Sequence, residues 1–350
     1  VLAAGSWSPL IEGPAGAPGG PGEAWPPVHP IHGEVLRLRE RTPDHAPSRV
    51  VRALVHGRHV YVVPRRSGEI VVGCDGSASS YSAIRWAAHE AGMRNLALRM
   101  VHVGAAPAVI NVMHPVPTDF EEWQDKQARQ ILAEATALVA EIGTETGVPV
   151  RIAATDIYHA APVPTLIDLS KDAELLVVGS RGIGAFRRGL IGSISTGLVH
   201  HGHCPVAVIH DGPVPPAHLP VVVGIDGSPA SVGATEIAFE EASHRGVDLV
   251  AVHAWSDDSL FSVPGVDWSA VATGEEELLA QRLAGSAEDY PDVMVHRVVV
   301  RDQPARYLAE QAQNAQLLGV GSHGRGGFAG MLLGSVSAAL VHTVTIPLIV

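Results

Sequence analysis

Short apolar runs alternate along this chain with longer stretches in which apolar residues recur at helical spacing, and the whole alternation occurs twice. Ile70-Val-Val-Gly-Cys-Asp75-Gly-Ser77 reads as a buried strand ending in turn residues. A helix over about 79–94 and a second strand at 96–103 follow. Val221-Val-Val-Gly-Ile-Asp226-Gly-Ser228 repeats the order, with a helix to Arg245 and a strand at 247–254. One offset, 226 minus 75 or 151, also carries Ala91 to Ala242, Arg94 to Arg245 and His102 to His253. Third strands are predicted near 150–154 and 294–300, and a long helix over 120–142 in the first repeat.

Each repeat then shows an apolar run, a glycine-rich stretch and an apolar-periodic run. The first carries Gly179, Gly182 and Gly192-Ser193, the second Gly321, Gly324 and Gly334-Ser335, both in the pattern Gly, two residues, Gly, nine residues, Gly-Ser. Here the offset is 321 minus 179, or 142, and the nine-residue difference falls in the middle of the repeat. Last strands are predicted at 205–209 and 347–350. Strands alternating with helices imply parallel sheets with helices on both faces, because parallel strands need crossover connections. The expected fold class is α/β, with two tandem doubly wound, Rossmann-like domains and an N-terminal extension. The expected boundaries are 1–68 for the extension, 69–210 for the first domain, 211–220 for a linker stiffened by prolines and 221–350 for the second domain. The last strand of each domain begins after a proline and should sit at a sheet edge, where it could pair with the other repeat.

Strand, glycine loop and helix start together make an anion site, because glycines admit the ligand to the backbone and the first helical amides point outward unpaired. Phosphate is expected at Gly179, Gly182, Gly192, Ser193 and Ser195, and again at Gly321, Gly324, Gly334, Ser335 and Ser337. Arginines serve only as auxiliaries: Arg181, Arg187 and Arg188 in the first loop, Arg325 beside His323 in the second. Asp75 and Asp226 stand at carboxyl ends of strands, where an open parallel sheet takes its ligand, and could accept hydrogen bonds from a nucleoside. Asp-Gly-Ser is also a common helix cap. Its duplication beside the same distant glycine pattern favours the ligand.

Composition narrows the choice. A chain of 350 residues, 46% hydrophobic, has length for two or three cores. A formal charge of −12 with only two lysines, Lys126 and Lys171, lacks the basic footprint of a nucleic-acid binder. No P-loop pattern is present, so binding by backbone amides is better supported than phosphoryl transfer, although a slow Mg²⁺-dependent ATPase or a nucleotide-independent interaction module remains open. No apolar run approaches the ~20 residues that span a bilayer and no signal-peptide pattern follows Val1, so a cytoplasmic, membrane-free protein is expected. Cys74 and Cys204 form no C-x-x-C and read as small buried residues. His200-His201-Gly-His203-Cys204 reads as a helix end before Pro205 in preference to a metal site. His102 and His253 read as satisfied core histidines.

The strand–Asp and Gly-x2-Gly-x9-Gly-Ser patterns resemble the universal stress proteins of the ATP-binding type, in tandem, over about 69–350. The resemblance implies an adenine nucleotide alpha hydrolase-like fold, ATP as ligand, Asp75 and Asp226 toward the nucleoside, and Val103 and Ala254 at the adenine pocket. It implies stress-response regulation in place of dedicated catalysis, a homodimer, and domain pairing through the last strands. The stretches Val1-Leu-Ala-Ala-Gly-Ser-Trp-Ser and Gly57-Arg-His-Val-Tyr-Val-Val-Pro-Arg-Arg resemble an internal piece of FAD-dependent amine oxidases of the glycine oxidase type. They lack the G-x-G-x-x-G that would hold a flavin pyrophosphate, so no oxidase activity is carried over.

Overall fold

The computed structural model describes residues 51–55, 58–62, 68–104, 120–182, 192–255, 268–324 and 333–350. Two units separate, Val1–Ser67 and Gly68–Val350. In the first, β1 (Val51–Val55) and β2 (Arg58–Val62) form an antiparallel pair with Val51 opposite Val62. The expected strand at 33–38 lies outside the described residues.

The second unit is built from two copies of one pattern. The first copy contains β3 (Glu69–Gly73), α1 (Ala78–Arg94), β4 (Ala97–Gly104), α2 (Phe120–Thr146), β5 (Arg151–His159), α3 (Pro162–Leu169), β6 (Leu175–Gly179), α4 (Ser193–His201) and β7 (Val206–Ile209). The second contains β8 (Val221–Gly224), α5 (Pro229–Arg245), β9 (Leu249–Ala254), α6 (Trp268–Asp289), β10 (Val295–Val300), α7 (Pro304–Ala312), β11 (Leu317–Val320), α8 (Ser335–Thr343) and β12 (Leu348–Ile349). The ten strands make one sheet in the order β10-β9-β8-β11-β12-β7-β6-β3-β4-β5. Within each repeat every described pairing is parallel. The repeats join where β12 runs antiparallel to β7, Leu348 opposite Val208 and Ile349 opposite Ala207. The expected edge strand of each repeat is therefore covered by its counterpart.

Strand alternation divides the core. Ile70, Val72, Leu175, Val177, Val221, Val223 and Leu317 face one side, with residues of α1, α2, α5 and α6. Val71, Leu176, Val178, Val222, Leu318 and Val320 face the other, with residues of α3, α4, α7 and α8. The inner helices α1 and α5 meet the sheet through small residues at helical spacing, Ala83, Ala87 and Ala91 in one and Ala234, Ala238 and Ala242 in the other, all buried. That closeness is needed near the strand ends, where a Cβ on Gly179 would lie 2.7 Å from the Ser79 carbonyl carbon and one on Gly321 2.7 Å from that of Ala230.

Strand β5 extends past the expected 150–154 to His159. Its second half carries polar residues that interrupt the apolar run, and these are held by side-chain pairs, Arg99 to Asp156 at 2.6 Å and His159 to Asp125 at 2.8 Å. Cys74 is buried, and desolvation pushes its thiol up to about 12. A water-soluble thiol reagent is therefore expected to modify the half-buried Cys204 first and Cys74 only as the protein unfolds, which mass spectrometry of timed samples checks.

An inter-repeat ion-pair cluster closes the inner face. Arg94 and Arg245, from α1 and α5, each contact both Glu90 and Glu241; Arg94 and the two glutamates are buried and Arg245 is partly so. Arg245 also lies over the Trp86 ring at 5.8 Å and donates to Gln316 at 3.2 Å. Gln316 in turn donates to the carbonyls of Ala217 and Leu219, fixing the linker to the second repeat.

Candidate nucleotide sites

Each repeat forms a crevice where the first strand and the glycine-loop strand end side by side. In the first, Asp75 follows β3, and its Oδ1 accepts the Ser77 amide at 2.9 Å. Gly76 takes φ +82°, a conformation that a side chain would strain, so the chain reverses at once into α1. Ser77 caps that helix by accepting from Ser80 N, and its hydroxyl donates to the Arg181 carbonyl at 3.1 Å. Ser79 donates to the same carbonyl. The turn after Asp75 is thus pinned to the loop after β6.

The second crevice repeats these contacts. Ser228 N donates to Asp226 Oδ1 at 2.9 Å, Gly227 takes φ +80°, Ser228 caps α5 by accepting from Ser231 N, and its hydroxyl donates to the His323 carbonyl at 2.9 Å. The cap reading of Asp-Gly-Ser holds in both repeats, one aspartate oxygen shaping the turn while serine is the cap. The other oxygen lies against the loop glycine. A Cβ on Gly182 would stand 2.8 Å from Asp75 Oδ2, and one on Gly324 2.8 Å from Asp226 Oδ2. Glycine at these positions brings main chain and carboxylate together.

The helices that begin beyond the loops differ from α1 and α5. Gly192 and Gly334 are the N-caps of α4 and α8, and neither helix receives a side-chain cap. Ser193 and Ser335 are exposed on the first turn. Ser195 and Ser337 are buried, and their hydroxyls donate inward: Ser195 to the Ser180 and Gly192 carbonyls at 3.2 Å each, Ser337 to the Ser322 and Gly334 carbonyls at 3.0 Å each. These two hydroxyls face the loop ends, whereas those expected at Ser193 and Ser335 stand on the exposed side of the first turn. Gly192 N and Gly334 N complete the closure by donating to the Ser180 and Ser322 carbonyls at 2.8 and 2.7 Å. Arg187, Arg188 and Arg325 lie outside the described residues.

Val103 pairs with Tyr158 and Ala254 with Val300 at the carboxyl ends of β4 and β9, one strand over from the aspartates. The preceding histidines are satisfied on one ring nitrogen by main chain, His102 Nδ1 2.7 Å from the Cys74 carbonyl and His253 Nδ1 2.6 Å from that of Ile225. His253 has a further neighbour, Glu275 of α6, 3.1 Å from its Nε2.

Two fused copies of a five-stranded, doubly wound sheet, each with a carboxylate and an uncapped glycine-loop helix at the carboxyl ends of its strands, define a tandem α/β protein with one crevice per repeat. The universal stress protein family profile matches residues 67–210 and 219–350, and the chain belongs to that family. It is 50% identical over 291 residues to universal stress protein Rv2005c of Mycobacterium tuberculosis, covering 82% of this chain and 98% of that one. It is 47% identical over 284 residues to universal stress protein Rv2623 of the same organism, covering 80% and 95%. Among solved structures, a universal stress protein from Archaeoglobus fulgidus superposes with a TM-score of 0.59 at 20% identity, covering 81% of this chain and 95% of that one, a likeness of fold. An FAD-dependent oxidoreductase profile matches residues 1–114, overlapping the start of the first repeat. Among the described residues no helix is long and apolar enough to cross a membrane.

Proposed function

We propose that the chain is a cytoplasmic, ATP-binding regulatory protein of the stress response, with one nucleotide site per repeat and little or no turnover. The observation that carries this reading is the duplicated cradle, in which a strand-end carboxylate lies against a glycine whose Cβ it would exclude, beside a helix start with no side-chain cap. Asp75 and Asp226 accept from the nucleoside, Val103 and Ala254 flank the base, and Gly179, Gly182, Gly192, Ser193, Gly321, Gly324, Gly334 and Ser335 surround the phosphates. Ser195 and Ser337 tie together the two ends of each loop. The helix dipole and the outward amides supply the positive potential that a lysine supplies in a P-loop, which suits holding a triphosphate better than stabilising its transfer.

Isothermal titration with ATP and Mg²⁺ tests the reading. Two equivalents are expected to bind the parent, one equivalent the Asp75→Ala or Asp226→Ala variant, and the double variant should bind at least about tenfold more weakly, as befits loss of charge-assisted hydrogen bonds. Unchanged affinity in the double variant would retire the assignment.

A further inference from the structure

We propose that the second nucleotide site is completed by the first repeat: His200, at the end of α4, stands beside His323 of the second glycine loop and, when protonated, binds the phosphate end of the nucleotide. This rests on the reading of the crevice as a nucleotide site.

The sheet register places the two together. Ile349 lies opposite Ala207 and beside Gly319, so Gly319 is level with Ala207. One step on, Val350 and Val206 exchange hydrogen bonds at 3.0 Å in both directions. Gly321, where the second loop leaves β11, is therefore level with Pro205, where the chain arrives from α4. Because the repeats meet antiparallel, the carboxyl end of α4 reaches the crevice of the other repeat and not its own. Leu198 and Val199 of α4 share a core cluster with Leu340 and Val341 of α8, so the two helices lie on the same face of the sheet.

The charges at this end come from several elements. His200 is half-buried and His201, 6.1 Å away between ring centroids, is exposed. His323 is half-buried with its Nδ1 3.0 Å from Ser322 Oγ. Against His203, which follows α4, the end of α3 and the residues after it bring the Asp168–Lys171 pair, 2.6 Å apart, and Ser170, whose hydroxyl accepts the His203 amide at 2.9 Å. Burial lowers the pKa of His200 from its ordinary value, and the charges of His201 and then His323 lower it further, so His323 is near enough to be felt. His200 is accordingly mostly neutral at neutral pH without ligand, and a phosphate beside it would draw a proton on. The residues that the repeat matches to this pair are Arg181 for His323 and, at the end of α8, the exposed His342 for His200, so the first crevice has a guanidinium where the second has the His323 imidazole.

Binding that takes up a proton strengthens as pH falls from above the ordinary histidine range to below it. In ATP titrations of the full chain at about pH 8 and about pH 6.2, one of two sites should tighten on acidification by about three- to tenfold more in the parent than in His200→Gln. His200→Arg should bind at the higher pH as the parent does at the lower one, and lose the difference. The His200 ring resonance should titrate at higher pH once ATP is added. Comparison between variants cancels the protonation of ATP itself. Equal pH profiles in all three proteins, with ATP bound and the His200 titration unmoved, would overturn the trans contribution alone. Absence of ATP binding in all three would overturn the site reading and this inference with it.

Discussion

Replacing Arg94 by Met is expected to destabilise the chain by about 3–5 kcal/mol, read as a lower urea midpoint, because it removes half of the positive charge from a buried cluster and leaves two carboxylates side by side. Glu90 accepts from Arg94 Nε at 3.1 Å and from Arg245, while Glu241 accepts from Arg245 Nε at 3.0 Å and from Arg94. Burial and then the charge of Glu241 push Glu90 up to about 8, against the pull of the two guanidiniums. Burial would raise Glu241 as well, but Arg94 and then Arg245 hold it below the usual carboxylate range. The pair titrates as a unit whose second ionisation is the costly one, and it depends on both arginines. Exchange of all four residues for apolar ones of similar volume is expected to restore most of the lost stability, since the cluster's own desolvation offsets much of its attraction. A loss below about 1 kcal/mol for Arg94→Met would mean that water reaches the cluster and screens it.

The second large effect is expected at the glycine that ends β6. In Gly179→Val the new Cβ would meet Ser79 main chain at 2.7 Å, and a backbone contact yields only if the start of α1 moves away from the sheet. The expected penalty is about 1–3 kcal/mol, with loss of the ATP binding proposed for the first crevice because the Ser77 and Ser79 bonds to the Arg181 carbonyl go with the helix start. Gly182→Ala separates stability from binding. Its Cβ would meet Asp75 Oδ2 at 2.8 Å, the far end of a side chain that can turn aside, so melting should change little while ATP affinity at that site falls. Thermal melts and ATP titrations on both variants check the contrast; equal affinities for Gly182→Ala and the parent would mean that the carboxylate is not part of the site.

Much of the architecture is legible in the sequence because it is written twice. Offsets of 151 and 142 align strand–Asp turns and glycine loops without a gap, and a parallel doubly wound sheet follows from the alternation. Pairing of the two last strands is suggested by their proline-entered edges, but local pattern cannot supply the side-chain contacts between the copies. Glu90 and Glu241 obey the 151 offset that matches Arg94 to Arg245, and each pair reads as an ordinary i,i+4 helix pair. Only the antiparallel meeting of β7 and β12 makes them one cluster, as it brings the end of α4 to the side of the second crevice. The serines illustrate a second limit. Ser193 and Ser195 stand two apart on one helical turn, and spacing does not say which hydroxyl faces out; burial and the Ser180 carbonyl decide it. In β5 the later end has the same origin, since polar residues end an apolar run whether or not partners on β4 and α2 hold the backbone extended.

Fusing the repeats through their last strands also has a consequence for assembly. Both β7 and β12 have a strand on either side, so neither can recruit another molecule by adding to the sheet. Among the described strands the open rims of the ladder are β5 and β10, which carry polar residues such as Asp156, His159 and His296. Among the described strands, an added molecule can therefore extend this sheet only at β5 or β10, and not by laying its terminal strand along β7 or β12.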